Sequence, residues 1–283
     1  MKNLFSISDL SIKEVMDIIN DAILFKKNLL DIKLNNKIVC NIFIEPSTRT
    51  HYSFNIAEEK LNMKVINFKP EGSSLNKGES FYDTIKTFEA FNPDLLVIRH
   101  SEDNYYNNLN INIPIINAGD GKMNHPTQTL LDLMTIYEEF KTFKNLNVCL
   151  VGDINHSRVA NSNIEIMKRL NMNCFICCPD EFMDDKYQRI SFNDCLKHMD
   201  IIMMLRVQNE RHNVRINNYF LEYGLTMEKV KLMKEKSIIM HPAPVNRKVE
   251  IDDDVIYCDK SRIFKQMQNG VFIRESVIKR SLL

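Results

Sequence analysis

Short apolar runs alternate with longer amphipathic segments along almost the whole chain. The apolar runs predict β-strands at 37–44, 64–68, 94–99, 113–117, 146–151, 172–178, 200–205 and 236–240. The segments between them predict α-helices at 11–29, 50–62, 78–91, 125–141, 157–170, 226–234 and 261–282. Strands that alternate with helices are typical of parallel sheets with helices on both faces. Runs as apolar as Ile201-Ile202-Met203-Met204-Leu205 fit strands that are buried on both sides.

Eight strands fit either one wide sheet or two sheets of about four. The helical stretch 125–141 is rich in leucine and charge, has no glycine, and suits a connector between two domains. We therefore predict an α/β fold with two domains, each a parallel sheet flanked by helices, divided near residue 130. Residues 1–130 form the first domain and 131–265 the second, and the C-terminal helix, 266–283, packs back on the first domain. The polar segment 68–80 is expected to be an exposed, mobile loop.

Composition excludes several classes of protein. The 283 residues carry 37 Lys plus Arg and 37 Asp plus Glu, so no basic field recommends nucleic acid as a partner. The N-terminal residues lack the apolar run of a signal peptide, and no apolar stretch approaches the length of a membrane span. Seven cysteines without framework spacing indicate free thiols in a reducing cytoplasm. Cys174, Cys177 and Cys178 fit buried strand thiols better than a metal site, and we expect no metal and no cofactor.

A helix start with hydroxyl and guanidinium groups follows the first predicted strand. Residues 45–54 read Glu-Pro-Ser-Thr-Arg-Thr-His-Tyr-Ser-Phe, directly after the apolar run 38–44. A helix start offers unpaired backbone N–H groups and a partial positive charge. Side-chain donors at the same place suit a phosphate group. The turn therefore predicts binding of a phosphorylated small molecule.

Polar residues also follow nearly all of the remaining predicted strands. Ligands of open parallel sheets bind beyond the carboxyl ends of the strands. The residues at these ends are Ser47–Thr50, Arg99, 117–125, 153–158, Arg206, Gln208 and 241–244. If Arg49, Arg99, Arg158 and Arg206 face one cleft, they fit ligands with several negative charges. The alternative for each single arginine is a surface ion pair, which contributes little.

Three further groups have both a functional and a plain structural interpretation. His125 and Gln128 open a helix three residues apart, so they share a face, where an imidazole and an amide can contact a carbonyl and an NH₂ group. The loop 241–247 contains two prolines, which make it rigid and leave carbonyls to accept hydrogen bonds. Lys77 can reach a phosphate from its loop. The structural alternatives are a helix cap with a satisfied His125, a plain turn with a structural His241, and a solvated loop lysine.

Seven segments together resemble the carbamoyltransferases, and most closely those members that act on aspartate. The segments are 43–50, 77–80, 99–100, 125–132, 151–158, 206–208 and 241–247, in the order that the family has them. Ser47-Thr48-Arg49-Thr50 and His125-Pro126-Thr127-Gln128 are the most specific. The resemblance implies transfer of the carbamoyl group of carbamoyl phosphate to L-aspartate, an early step of pyrimidine synthesis. It also implies a cytoplasmic homotrimer with shared active sites, which can join regulatory chains in a larger assembly.

The resemblance assigns residue roles and names the two domains for the substrates that they bind. The catalytic residues that it implies are Thr50, Arg99, His125 and Gln128. The residues that it implies for carbamoyl phosphate are Ser47, Thr48, Arg49, Thr50, Arg99, His125, Gln128, Ser73, Lys77, Pro242 and Ala243, with Ser73 and Lys77 supplied by the adjacent subunit. Those for aspartate are Lys77, Arg158, Arg206 and Gln208. Glu45 is implied to bridge the domains, to Arg158 and Arg211.

Three other functions compete with this interpretation. An ornithine-specific enzyme of the same family usually has a Cys in a His-Cys-Leu-Pro motif, whereas this chain reads His241-Pro242-Ala243-Pro244. A non-catalytic paralogue is expected to have lost charge from the site, which this chain retains. A bare mononucleotide-binding domain is disfavoured because the fingerprint G-x-G-x-x-G is absent from the sequence and Gly152 stands alone. The stretch 209–226 predicts a loop with no assigned aspartate contacts.

Overall fold

The computed structural model of the chain describes residues 2–155, 157–207 and 218–283, without the side chain of Arg158. It contains two compact units, Met1–Met134 with Met267–Leu283, and Thr135–Gln266. Each unit holds a four-stranded parallel sheet with helices around it, so the predicted α/β fold with one sheet per domain is confirmed. The division falls within the predicted connector helix, four residues beyond the predicted boundary near 130.

The first sheet has the strand order β2-β1-β3-β4. Its strands are β1 Ile38–Phe43, β2 Lys64–Phe68, β3 Leu95–His100 and β4 Ile115–Asp120. The helices of this unit are α1 Ile12–Lys26, α2 Thr48–Lys60, α3 Phe81–Ala90, the first part of α4 Pro126–Phe140 and most of α9 Ile263–Leu282. Because α2 begins at Thr48 rather than at the predicted residue 50, the Thr-Arg-Thr run forms its first turn.

The second sheet repeats this arrangement, with the order β6-β5-β7-β8. Its strands are β5 Asn147–Val151, β6 Asn173–Cys177, β7 Ile201–Met204 and β8 Ile238–Met240. Its helices are α5 Arg158–Arg169, α6 Phe192–His198, α7 Tyr219–Tyr223 and α8 Met227–Val230. The sequence analysis missed α6, although Ser191 accepts a hydrogen bond from the N–H of Asp194, which is an N-cap signal. It also missed α7, a helix of five residues within the predicted loop 209–226.

The C-terminal helix α9 packs on the first unit, as predicted. Arg280 contacts the Glu14 carboxylate of α1 at 2.9 Å, and Lys279 contacts Asp21 at 2.6 Å. Both ion pairs lie next in sequence to Val277 and Ile278, whose side chains are fully buried. Apolar burial holds the helix in place, and the paired charges fix its register against α1.

The seven cysteines are free thiols. Cys177 and Cys178 are buried and Cys174 is half-buried, with Cys178 just beyond the end of β6. Among the described residues, no three His, Cys, Asp or Glu side chains are grouped to hold a metal ion. Within the same residues, no helix is both long enough and apolar enough to span a membrane.

A carboxyl group and a guanidinium group are buried beneath α2. Glu58 accepts a hydrogen bond from the side-chain amide of Asn41 at 2.8 Å. Arg274 of α9 lies over the ring of Phe54, 4.9 Å from its centroid, and donates to the carbonyl of Gly270 at 2.8 Å. Loss of hydration raises the pKa of Glu58 to about 8 and lowers the pKa of Arg274 to about 9. The helix that begins at the predicted phosphate turn is thus packed around Glu58 and Arg274, two groups whose pKa values are shifted by burial.

We expect Glu58→Gln to gain stability over the wild-type chain as pH rises. An unfolded Glu58 has the ordinary pKa of 4.5, and burial raises the folded value to about 8. The protonated carboxyl stabilises the folded chain fully below pH 4.5, and that stability is lost as pH rises through about 8. Glutamine does not titrate, so the difference in Tm should widen across this window. Thermal unfolding from about pH 5 to about pH 9 measures it, with the exposed neighbour Glu59→Gln as the control. A difference that stays constant with pH would contradict this account.

Candidate active site

The turn between β1 and α2 carries the predicted phosphate-binding residues. The strand ends at Phe43 and the helix begins at Thr48, with Ser47 as the N-cap residue in extended backbone. The carbonyl of Ser47 accepts a helical hydrogen bond from the N–H of His51 at 3.0 Å. Since β1 lies between β2 and β3, the turn stands at the middle of the sheet's carboxyl edge. That is where parallel sheets bind their ligands.

The hydroxyl of Ser47 is not used to cap its own helix. The N-cap side chains of α1, α3, α5, α6 and α8 each accept a hydrogen bond from a first-turn N–H. Ser47 is the N-cap residue of α2, but its side chain accepts no hydrogen bond from the first turn of that helix, all of which the structure describes. A serine at a helix start with its hydroxyl uncommitted suits an anion that takes the place of the cap.

The other residues of the turn differ in exposure. Thr48 and Arg49 are exposed, and Thr50 is buried with 6% of its surface accessible. The exposed pair can meet a ligand that arrives from solvent. Thr50, further along the first turn, is shielded from solvent.

Arg99 lies at the end of β3, beside this turn. It is 7% exposed, and its Nη1 donates to the carbonyl of Ala118 in the neighbouring strand at 3.2 Å. Its Nη2 forms an ion pair with the Glu45 carboxylate at 2.6 Å. The expected partners of Glu45, Arg158 and Arg211, cannot be compared, because the side chain of Arg158 and the whole of Arg211 lie outside the described residues. Within the first unit, Glu45 and Ala118 hold Arg99 in one orientation.

Gly119 lets Arg99 and His125 come together. Its φ of +122° lies in the region that favours glycine. A Cβ at this position would lie 2.6 Å from Nη1 of Arg99 and 3.6 Å from Cδ2 of His125. The guanidinium and the imidazole therefore border the same space, which a side chain would fill.

A buried carboxylate folds the turn that precedes His125. Asp120 is fully buried and accepts hydrogen bonds from the N–H of Asn124, at 2.5 Å, and from the N–H of Asn104, at 3.3 Å. The N–H of Asp120 in turn donates to the carbonyl of Asn124 at 3.0 Å. These bonds tie the loop after β3 to the loop after β4. They fix where α4 begins and thus where His125, itself 6% exposed, is placed.

Gln128 lies in the first turn of α4, as the sequence predicts. Its Nε2 donates to the Asp132 carboxylate at 2.9 Å, one helical turn further on. Because the amide nitrogen is held by Asp132, the amide oxygen is the atom that remains to accept a hydrogen bond. That orientation agrees with the expected contact to an NH₂ group.

The loop 68–80 contains one short structured segment. Residues Ser74–Lys77 form a 3-10 turn that ends at Gly78, with a φ of +93°. Ser73 is half-buried, and its hydroxyl donates to the carbonyl of Pro70 at 2.7 Å. Lys77 is exposed. The loop is therefore partly ordered by its own hydrogen bonds.

The second unit places those remaining predicted residues that the structure describes at the carboxyl edge of its own sheet. Arg206 is half-buried and lies two residues beyond the end of β7. Arg158 begins α5 after the β5 turn. Gln208 lies outside the described residues. Pro242 and Ala243 follow β8 and are half-buried, and Ala243 has a φ of +57°.

Three residues that organise these edges were given no individual role in the sequence analysis. They are Gly119, Asp120 and Glu250. The Gly-Asp-Gly run at 119–121 after a predicted strand was a turn signal that could have drawn attention to the first two. Glu250 gave no such signal, because it lies in an irregular segment nine residues after His241, its partner in the fold.

We expect Ser47→Ala to weaken phosphate binding while leaving stability nearly unchanged. Removal of a capping serine normally costs about 1 kcal/mol, but Ser47 makes no cap bond in its described turn. The matched control is Ser11→Ala, whose hydroxyl caps α1 by accepting from the N–H of Glu14 at 3.2 Å. That variant should lower Tm and leave phosphate binding intact. Thermal unfolding and calorimetric titration with inorganic phosphate measure both quantities. Equal losses of Tm would show that Ser47 is an ordinary cap.

Comparison with known proteins agrees with the observed arrangement. Residues 2–138 match the family model of the aspartate/ornithine carbamoyltransferase carbamoyl-P binding domain, and residues 144–280 match the Asp/Orn binding domain of the same family. The aspartate carbamoyltransferase catalytic subunit of Staphylococcus carnosus is 48% identical over 98% of this chain and 94% of its own length. That of Malacoplasma penetrans is 47% identical over 99% and 96%.

Solved structures show the same fold. Aspartate transcarbamoylase from Trypanosoma cruzi in complex with carbamoyl phosphate has a TM-score of 0.90 and 28% identity, covering 98% of this chain and 95% of that one. The catalytic subunit of M. Jannaschii aspartate transcarbamoylase has a TM-score of 0.88 and 32% identity, covering 100% and 98%. With both domain models matched and near-full-length relatives at almost half identity, the chain belongs to the aspartate/ornithine carbamoyltransferase family.

Proposed function

We propose that this chain transfers the carbamoyl group of carbamoyl phosphate to the amine of L-aspartate, giving N-carbamoyl-L-aspartate and phosphate. Its near relatives bear the name of aspartate carbamoyltransferase catalytic subunit, and a similar structure is described with carbamoyl phosphate and aspartate. The observation that carries the proposal is the grouping at one sheet edge of the uncommitted Ser47 hydroxyl with Arg99 and His125.

The phosphate end of the substrate belongs at the start of α2. Ser47, Thr48, Arg49 and Thr50 supply hydroxyl, guanidinium and backbone donors there. A phosphate accepts several charge-assisted hydrogen bonds, each contributing roughly 1.5–3 kcal/mol. The helix dipole adds to the same attraction.

The carbamoyl carbon then lies against Arg99, His125 and Gln128. When the amine of aspartate attacks this carbon, negative charge grows on the carbamoyl oxygen. Arg99, His125 and the Thr50 hydroxyl are donors for that oxygen, and donors held before the reaction lower its barrier without reorganising. The amide oxygen of Gln128 accepts from the carbamoyl NH₂ group and orients it.

The leaving phosphate completes the proton balance. The new N–C bond forms as the C–O bond to phosphate breaks, and the departing phosphate takes the proton that the amine releases and so leaves as the hydrogen phosphate dianion. No dedicated protein base is required. Arg158, Arg206 and Gln208 of the second unit bind the carboxylates of aspartate, which offsets the repulsion between two anionic substrates.

We expect the wild-type chain to release phosphate from carbamoyl phosphate with L-aspartate and not with L-ornithine. The turn after β8 has no cysteine, and two arginines suit a second carboxylate better than an ammonium group. Arg99→Ala should lower kcat by roughly 10²–10³, the usual effect of losing one donor to a developing oxyanion. The matched control is Arg189→Ala, which removes an exposed arginine paired with Asp180. Turnover with ornithine and none with aspartate would reverse the assignment of the amino-acid substrate. Full activity of Arg99→Ala would show that other residues stabilise the developing oxyanion.

We propose that the chain acts as a homotrimer. We also propose that it works in the cytoplasm, in pyrimidine synthesis. The outer face of α2 and the edge strand β2 expose Tyr52, Ile56 and Ile66, which are 60%, 49% and 48% accessible. A groove of about 390 Å³ lies along the same face. The loop with Ser73 and Lys77 follows β2 directly, so a subunit seated on this face brings both residues close to its neighbour. Exposed apolar surface of this kind marks interfaces.

Two inactive variants should regain activity when they are mixed, if each active site is shared between neighbouring subunits. Lys77→Ala and Arg49→Ala chains are each expected to be inactive, because every site lacks one of the two groups. Trimers that contain both chains hold some sites with neither defect, and these sites should work. Phosphate release after subunit exchange, verified by native mass spectrometry, measures the recovery, with each variant exchanged against itself as the control. No recovery in verified mixed trimers would place Lys77 and Arg49 in the same subunit's site.

A further inference from the structure

The turn after β8 has one backbone donor, and that donor is already used. Pro242 and Pro244 have no N–H, so Ala243 carries the only N–H of residues 242–244. It donates to Nδ1 of His241 at 2.8 Å. The bond holds Ala243 at a φ of +57°, a left-handed conformation that residues other than glycine seldom adopt.

The hydrogen bonds of His241 determine its tautomer. Because Nδ1 accepts from Ala243, the ring proton belongs on Nε2, which donates to Oε1 of Glu250 at 3.2 Å. Both side chains are fully buried. A doubly protonated ring would set two donors, its Nδ1–H and the N–H of Ala243, against each other.

Glu250 helps to connect this turn to the segment that follows β7. Its carboxylate also accepts the N–H of Asn246 at 2.6 Å. The side chain of Asn246 donates to the carbonyl of Val207 at 3.0 Å, and Val207 directly follows Arg206. The backbone N–H of His241 is held separately, by the side-chain oxygen of Gln266 at 2.9 Å. The turn is thus anchored from both sides within the second unit.

We propose that His241 is a positioning residue that makes the turn 242–244 a surface of carbonyl oxygens alone. Such a surface accepts from N–H donors and repels carboxylate and phosphate oxygens. Under the proposed function, on which this inference rests, the N–H donors are the NH₂ of the carbamoyl group and the attacking amine. The turn therefore orients both nitrogen groups and keeps the anionic ends of the substrates on the arginines. Glu250 acts one step further away, by fixing the tautomer of His241.

Two substitutions separate this role from simple support of the fold. His241→Asn keeps an acceptor near the position of Nδ1, whereas His241→Leu removes it and leaves the N–H of Ala243 unpaired. We expect His241→Leu to lower kcat roughly 10-fold to 100-fold, the effect of one lost buried hydrogen bond in the transition state. The inhibition constant of inorganic phosphate, which reports on the turn at Ser47, should stay within about twofold. His241→Asn should recover most of kcat. The exposed His198→Leu is the control.

Loss of kcat in both variants to the same extent, at equal Tm, would overturn the proposal, as would full activity in His241→Leu. A second measurement does not depend on activity or on the variants folding. Two-bond ¹⁵N–¹H spectra of the histidine-labelled wild-type chain, with the His241 ring identified by sequence-specific assignment, should show its proton on Nε2 and none on Nδ1. A proton on Nδ1 of that ring would overturn the inference even if the chain is active with aspartate. An inactive wild-type chain with the expected tautomer would instead refute the proposed function.

Discussion

The start of α2 is the feature on which the rest of the site depends. A helix that leaves its N-cap hydroxyl uncommitted gives up about 1 kcal/mol of stability that five other helices of the same chain obtain. Under the proposed function, the phosphate of the substrate takes the place of the missing cap. The arrangement makes binding of the phosphate end the step that completes the local structure, and the other reacting groups are placed relative to it.

The surrounding structure keeps cationic and polar groups in fixed positions before any ligand arrives. Arg99 is held by Glu45 and Ala118, and Gly119 leaves the space that the guanidinium and the ring of His125 share. A flexible arginine would have to lose side-chain entropy on binding, whereas a buried and paired one has already lost it.

Sequence patterns predicted the strands well and the short helices poorly, for a physical reason. A strand buried on both sides is a continuous apolar run, so β7 could be recognised from Ile201 to Leu205 without knowledge of its neighbours. A helix of five residues such as α7 shows too little of the helical period to be recognised. The positions of the candidate residues at strand ends could be predicted because parallel topology brings the strand ends of each sheet to its carboxyl edge. The contacts that orient them could not, since the pair of His241 and Glu250 depends on how an irregular turn folds. Gln208 and Arg211 are outside the described residues, so their expected roles stay predictions.

The most direct test of this account is a crystal structure of the chain with N-(phosphonacetyl)-L-aspartic acid, which is bound in a similar structure from Trypanosoma cruzi. We predict that the phosphonate accepts hydrogen bonds from the Ser47 hydroxyl and the first turn of α2, with the carbonyl oxygen against Arg99 and His125. The carboxylates should lie on Arg158 and Arg206. A phosphonate bound away from α2, with Ser47 capping its own helix, would contradict the central claim.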